Sequence, residues 1–242
     1  MILSDMHVHS NFCDGVDTPE ILCETALKKG IKNLGIVAHS YVDFDPVGTL
    51  NAQNKQIFID TVNNLKSKYN NLNVYVGLEL DAYSNVDTSG FDFIIGSMHY
   101  VSNNGKTFIF DNGEDLFKKG VEEVFDGDYY LFIEKYFNDF TDFLLKAKPD
   151  IIGHLDLVTK YNEGNKYFDT NSPRYINAYK KAVDKLINLD AYFEVNFGAL
   201  NKGIKTSPYP EKQITDYILS KGGKIVLASD AHTAKFIGEF KV

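Results

Sequence analysis

Short apolar runs rich in Val, Ile, Leu and Phe recur along the chain, separated by longer stretches with helical spacing. The runs predict strands near Ile2–Met6, Asn33–Ala38, Asn73–Leu80, Phe91–Met98, Ile151–Gly153, Ala191–Asn196 and Lys224–Ala228. Their nearly continuous apolar character suits strands covered on both faces. Thr18-Pro19-Glu20 predicts a helix start, with a capping hydroxyl, proline in the first position and acid in the first turn. That helix should end near Lys29-Gly30. Further helices are expected near Asn51–Tyr69, Asp128–Ala147, Ser172–Asn188 and Pro210–Ser220, the last stopped by Gly222-Gly223. The stretch from Ser102 to Gly127 is less regular and is expected to form a loop with a short helix.

Strand-helix alternation implies mostly parallel strands with right-handed crossovers. Seven predicted strands point to a (β/α)7 barrel, an incomplete relative of the eight-stranded form, whose working residues gather where strands end. An open doubly wound sheet is the rival, but it would spread the strand ends along a line. No internal repeat, low-complexity tract or linker is visible, so one domain over residues 1–242 is expected.

All six histidines follow or end these apolar runs: His7 and His9, His39, His99, His154 and His232. In Asp5-Met-His7-Val-His9, strand alternation predicts that Asp5, His7 and His9 share one face. A lone His39 or His99 would read as a packed or capping histidine. The joint placement points instead to a metal cluster at one rim. Three carboxylates stand beside these motifs: Asp14, Glu79 and Asp230. Imidazole and carboxylate ligands suit Zn, Fe or Mn, and no thiolate cluster is present to make a structural zinc site. Asp5 suits an acceptor for a histidine ring N–H, and Asp156 is either such an acceptor or a ligand. Asp81 is expected to be a solvated carboxylate and Asp92 a strand-entry residue.

Composition narrows the partners. The chain has 242 residues, 44% hydrophobic and 24% charged, with a net charge of −8. That balance argues against a broad surface for long nucleic acid, whereas bound cations could still attract an anion. Arg174 is the single arginine among 25 basic residues. Candidates for holding an anionic substrate are therefore Lys160, Arg174 and Lys202. Tyr100, Tyr161 and Phe197 lie beside the motifs and could wall the substrate. Cys13 and Cys23 are too few for a disulfide framework, and Cys13 reads as a small filler rather than a ligand. No signal-peptide pattern or membrane-length apolar run is visible, so a cytoplasmic chain without membrane contact is expected.

The motifs Asp5-Met-His7-Val-His9, Asp14-Gly15, Ala38-His39, Gly77-Leu-Glu79, Gly96-Ser97-Met-His99, Gly153-His154-Leu-Asp156, Glu194-Val-Asn196 and Ser229-Asp230-Ala-His232 together resemble the PHP (polymerase and histidinol phosphatase) family. The spacing is similar to its stand-alone histidinol-phosphatase branch. The resemblance implies a distorted (β/α)7 barrel carrying three divalent ions at the C-terminal rim. It implies that His7, His9, Glu79 and Asp230 hold the first ion. Glu79, His99 and His154 would hold the second, with Glu79 bridging, and Asp14, His39 and His232 the third. Many family members carry His where Asp14 stands. Ala38 replaces a common acidic residue, and Phe197-Gly-Ala-Leu-Asn201-Lys202 replaces a Ser-Gly-Leu-Arg-like run. Only ten residues follow His232, where a further helix is expected, so the C-terminus reads as abbreviated or completed by a partner.

Charge accounting agrees with phosphate chemistry. Three divalent ions against Asp14, Glu79 and Asp230 leave roughly +3, which suits a phosphomonoester dianion and one hydroxide. The implied activity is hydrolysis of L-histidinol phosphate by hydroxide attack on phosphorus, with Glu79, Asp230 and Asp156 as the catalytic candidates. The rival readings are a phosphodiesterase or nuclease on the same centre, amidohydrolase-type C–N hydrolysis, and a non-catalytic metal-binding module.

Overall fold

The computed structural model describes residues 3–240. Its core is a seven-stranded, wholly parallel sheet built from β1 (Ser4–His9), β2 (Asn33–His39), β3 (Asn73–Asp81), β4 (Phe93–Ser97), β7 (Ile151–Ile152), β8 (Tyr192–Asn196) and β9 (Lys224–Ala228), in that order. These answer to the seven apolar runs, the first of them running Ser4–His9 rather than Ile2–Met6, with Ile2 outside the described residues. The two outer strands meet through one bridge, Val8 to Ala231, where the His9 amide donates to the Ala231 carbonyl at 2.8 Å. The sheet is thus a nearly closed barrel, with helices α1 (Pro19–Lys28), α2 (Ala52–Lys68), α4 (Tyr129–Ala147), α5 (Pro173–Leu186) and α6 (Lys212–Ser220) in the connections. No helix among the described residues is long and apolar enough to cross a membrane.

The helix starts follow their capping chemistry. Thr18, Asn51, Asp128 and Ser172 each accept a backbone N–H of the first turn, satisfying an otherwise orphaned donor. The segment expected to be a loop is more ordered than that. It forms an antiparallel hairpin of β5 (Tyr100–Asn103) and β6 (Lys106–Ile109), followed by the 12-residue α3 (Glu114–Phe125). Its turn is Asn104-Gly105, both with positive φ, which is the strongest short hairpin signal a sequence carries. Polar strand residues hid it. After His232 the described chain makes one 3₁₀ turn, Ala234–Phe236, and no further full helix.

One departure changes the reading of the first motif. The register between β1 and β2 shifts between Asp5 and Val8, so β1 is bulged there. Met6 therefore packs inside the barrel with Val37 and Phe93, while Asp5 faces away. Asp5 accepts the backbone N–H groups of Ser229 and Gly238, pinning the segments around the end of β9. It does not share a face with His7 and His9, and among the described residues it hydrogen-bonds no histidine ring.

Phe93, Ile95, Ile151, Val37, Met6, Tyr75 and Val226 fill the lower barrel. Glycine makes room for them. A Cβ at Gly77 would lie 2.4 Å from the Phe93 ring and 2.8 Å from Val37, and one at Gly35 would lie 2.6 Å from the Met6 carbonyl. Gly77→Ala should therefore cost about 1–3 kcal/mol through overpacking, although a strain-free glycine-to-alanine change stabilises by about 0.4–1 kcal/mol. A urea midpoint that falls with an unchanged slope is the expected result.

Candidate metal centre

Parallel register brings the strand ends to one level, and the polar side chains collect there. His7 and His9 come from β1, His39 ends β2, Glu79 stands near the end of β3, and His99 follows β4. His154 follows β7, and Asp230 and His232 follow β9. Asp14 arrives on a tight turn folded back on β1, where Gly15 donates to the Ser10 carbonyl. A Cβ at Gly15 would lie 2.6 Å from the His9 backbone, so the turn needs glycine there. All nine residues named as ligand candidates meet in this cluster.

Glu79 is its centre. Oε2 lies 2.9 Å from His39 Nδ1, 3.3 Å from His7 Nε2 and 3.4 Å from His9 Nε2. Oε1 faces the other way, 3.0 Å from His154 Nε2 and 3.5 Å from His99 Nε2. Asp230 Oδ1 closes the first group at 3.8 Å from His7 Nε2 and 3.5 Å from His9 Nε2. Asp14 forms the third, 3.0 Å from His232 Nε2 and 3.4 Å from His39 Nε2. His9, Asp14, His39 and His232, then His7, His9 and Asp230, then His39, Glu79 and His99, each bring ligand atoms within 4.8 Å of one another.

This donor set fits cations. Glu79 is 1% exposed, and its Oε2 makes no hydrogen bond despite three imidazole nitrogens around it. His154 Nδ1 is likewise buried without a partner. A buried carboxylate in this state is costly unless positive charge arrives. Burial, with His232 and His39 nearby, presses the His9 pKa down to about 3, so its ring stays neutral and keeps a lone pair. Burial opposes charge on Glu79, but His39, His7 and His154 hold its carboxyl well below the usual range. The same contest, won by His7, His232 and Lys202, depresses Asp230.

A second layer aims the ligands. His7 Nδ1 donates to Glu194 Oε1 at 2.6 Å, and the His154 amide donates to Glu194 Oε2 at 2.9 Å. Asn196 links Glu194 to Asp230 at 3.0 and 3.2 Å. Asp81, expected in solvent, is buried instead. Its Oδ2 accepts both the backbone N–H and Nδ1–H of His99, at 2.9 and 3.0 Å, while Oδ1 accepts the Tyr83 amide. Strand alternation was the available signal, because Asp81 must face the same way as Glu79.

Above the cluster lies a cavity of about 400 Å³, lined by Lys160, Lys202, Tyr100, Tyr209, Asp45 and Asp111 among others. Lys202 Nζ is 3.3 Å from His232 Nδ1, and Lys160 pairs with Asp111 at 3.2 Å. Arg174 is elsewhere. It caps the surface of α5, with a two-pronged bond to Glu134 and further contact to Asp128, and takes no part in the cavity. Asp156 is fully buried below the rim, accepting the Glu211 amide and the Tyr175 hydroxyl. Burial raises its pKa to about 7, and it does not line the cavity. Of the expected walls, Tyr100 lines the cavity, while Tyr161 and Phe197 do not. Cys13 packs beside the core with Sγ 3.4 Å from His9 Nδ1.

Known proteins resemble this chain in sequence and in fold. The chain is 24% identical over 192 residues to a probable histidinol-phosphatase of Schizosaccharomyces pombe, covering 75% of this chain and 61% of that protein's length. Its fold matches the crystal structure of a candidate histidinol phosphatase from Listeria monocytogenes at a TM-score of 0.85, with 20% identity and 97% of both chains covered. It also matches the histidinol phosphate phosphatase of Lactococcus lactis, solved with zinc, L-histidinol and phosphate, at a TM-score of 0.65. That match has 19% identity and covers 96% of this chain and 87% of the other. Residues 5–197 match the PHP domain, and the chain belongs to that family.

Proposed function

We propose that this chain is a metal-dependent phosphomonoester hydrolase that cleaves L-histidinol phosphate to L-histidinol and phosphate in cytoplasmic histidine biosynthesis. The observation that carries the proposal is the Glu79 carboxylate, divided between two sets of imidazoles on the floor of a cavity that also holds two lysines. The S. pombe and L. lactis relatives, with the zinc, histidinol and phosphate of the latter, support the choice of substrate.

Three divalent ions, of zinc, iron or manganese, complete the proposal. His7, His9, Glu79 and Asp230 would hold the first, Glu79, His99 and His154 the second, and Asp14, His39 and His232 the third. When bound, the ions supply Lewis acidity, neutralising phosphoryl oxygens and bringing water toward ionisation near neutral pH. The chain's own part is placement. Glu194 and Asp81 fix the tautomers and angles of His7 and His99, and Asn196 steadies Asp230. Lys202, beside His232, and Lys160 offer ammonium groups to phosphate oxygens. Depth removes Asp156 from proton transfer to substrate and leaves it holding the segment that carries His154. Arg174 plays no role in phosphate recognition.

Elemental analysis of the purified protein should find about three transition-metal equivalents per chain; zero or one would break the three-ion assignment. Glu79→Ala should lose more than one ion and drop turnover by more than about 100-fold, beyond the range typical of an outer partner. Glu194→Gln keeps the shape but weakens the acceptor of His7. A 10- to 100-fold loss of metal affinity in chelator competition is expected, roughly the usual range for such partners. In a substrate panel, histidinol phosphate should be hydrolysed and bis(p-nitrophenyl) phosphate spared. Turnover of diesters alone would overturn the monoesterase reading in favour of a phosphodiesterase.

A further inference from the structure

The cavity carries more acid than a phosphate site requires. Asp14, Glu79 and Asp230 belong to the imidazole groups, and Asp81 is bonded to His99. Asp45 and Asp111 remain, on a wall that also carries Tyr100. Asp111 is matched by Lys160 at 3.2 Å, while no cation pairs with Asp45 among the described residues. Surplus negative charge on that wall opposes a phosphate dianion, so it is useful only if the rest of the substrate is positive.

The wall is built to hold its shape. Tyr100 lines the same wall: its hydroxyl donates to Asp45 Oδ2 at 2.9 Å, and its strand pairs it with Ile109, two residues before Asp111. Phe44 and Tyr83 pack edge-on against the Tyr100 ring, with centroids 5.0 and 6.0 Å away. Asp111 is fixed by its neighbours: the Tyr161 hydroxyl donates to its carbonyl at 2.7 Å, and the Phe110 amide donates to the His99 carbonyl at 3.2 Å. Each carboxylate leaves Oδ1 free of hydrogen bonds among the described residues. Val42, Ile109 and Leu157 supply apolar wall beside them. Two carboxylates and a phenol on one cavity wall, with apolar side chains beside them, recognise an organic cation.

We infer that Asp45 and Asp111, on one wall with Tyr100, select phosphomonoesters whose leaving alcohol carries a cationic amine. The inference rests on the phosphomonoesterase reading of the same cavity and adds the residues that read the leaving group. The phosphate would lie over the imidazoles within reach of Lys202 and Lys160, and the ammonium against Asp45 and the Oδ1 of Asp111 that Lys160 does not bond. A bland alternative gives Asp111 only the task of holding Lys160, in which case its loss would weaken every phosphate ester alike.

The test compares kcat/KM for histidinol phosphate and p-nitrophenyl phosphate in the wild type, Asp45→Asn and Asp111→Asn. The ratio favouring the amino ester should fall by about tenfold or more in each variant, the scale of one lost charged hydrogen bond. An unchanged ratio in both variants overturns the inference. Calorimetric titration of the metal-loaded protein with L-histidinol gives a readout free of turnover: the wild type should bind, and Asp45→Asn should bind about tenfold more weakly. Should a variant fail to fold, competitive inhibition of the wild type decides, since L-histidinol must outcompete an uncharged alcohol of similar size. Equal inhibition by both sinks the inference. Absence of any monoester hydrolysis by the wild type would instead strike the phosphomonoesterase reading, with histidinol binding still scored on its own.

Discussion

A single carboxylate buried among imidazoles governs the upper half of this molecule. Glu79 is almost wholly removed from water, and five histidine nitrogens lie within 3.5 Å of its two oxygens. Such a group is tolerated only where charge can be matched. The strand register puts it at the level where β1, β2, β4, β7 and β9 all deliver histidine or aspartate. The lower barrel is filled by Phe93 and its apolar neighbours, so the polar load sits in one layer rather than spread through the core.

Around that layer the fold devotes other buried groups to aim. Glu194 touches both β1, through His7, and the backbone of His154, so one side chain couples three strands. Gly198 serves Asp230 by absence: a Cβ there would sit 2.7 Å from the aspartate oxygen. Asp230 itself adopts a positive φ, a conformation aspartate accepts more readily than most residues.

The strands and the nine clustered residues were legible because each parallel strand is a compact apolar run and each run ends in its polar residue. What escaped depended on distance or on local irregularity. The bulge in β1 turned Asp5 outward, and no periodicity announces a bulge. Asp81 has its partner 18 residues away, and Glu194 reaches His7 across 187, so their roles appear only once the barrel closes. Arg174 looked available because it is the single arginine, yet Glu134 occupies it on the surface. The hairpin carried its signal in Asn104-Gly105, masked by polar strands that pack one face only.

The barrel's last join has a consequence for stability. Among the described residues, β1 itself is joined to the chain after β9 by the Val8–Ala231 bridge and the hydrogen bonds of Asp5. The segment after β1 adds the Val16 N–H to the His232 carbonyl and Asp17 to the Ala234 amide. His7 and His9 stand on one side of that seam, and Asp230 and His232 on the other. A cation seated between them would stitch the two ends of the chain together, so loading the protein would also lock it shut. Folding strength would then rise with free metal concentration, as for any ligand that binds only the folded state.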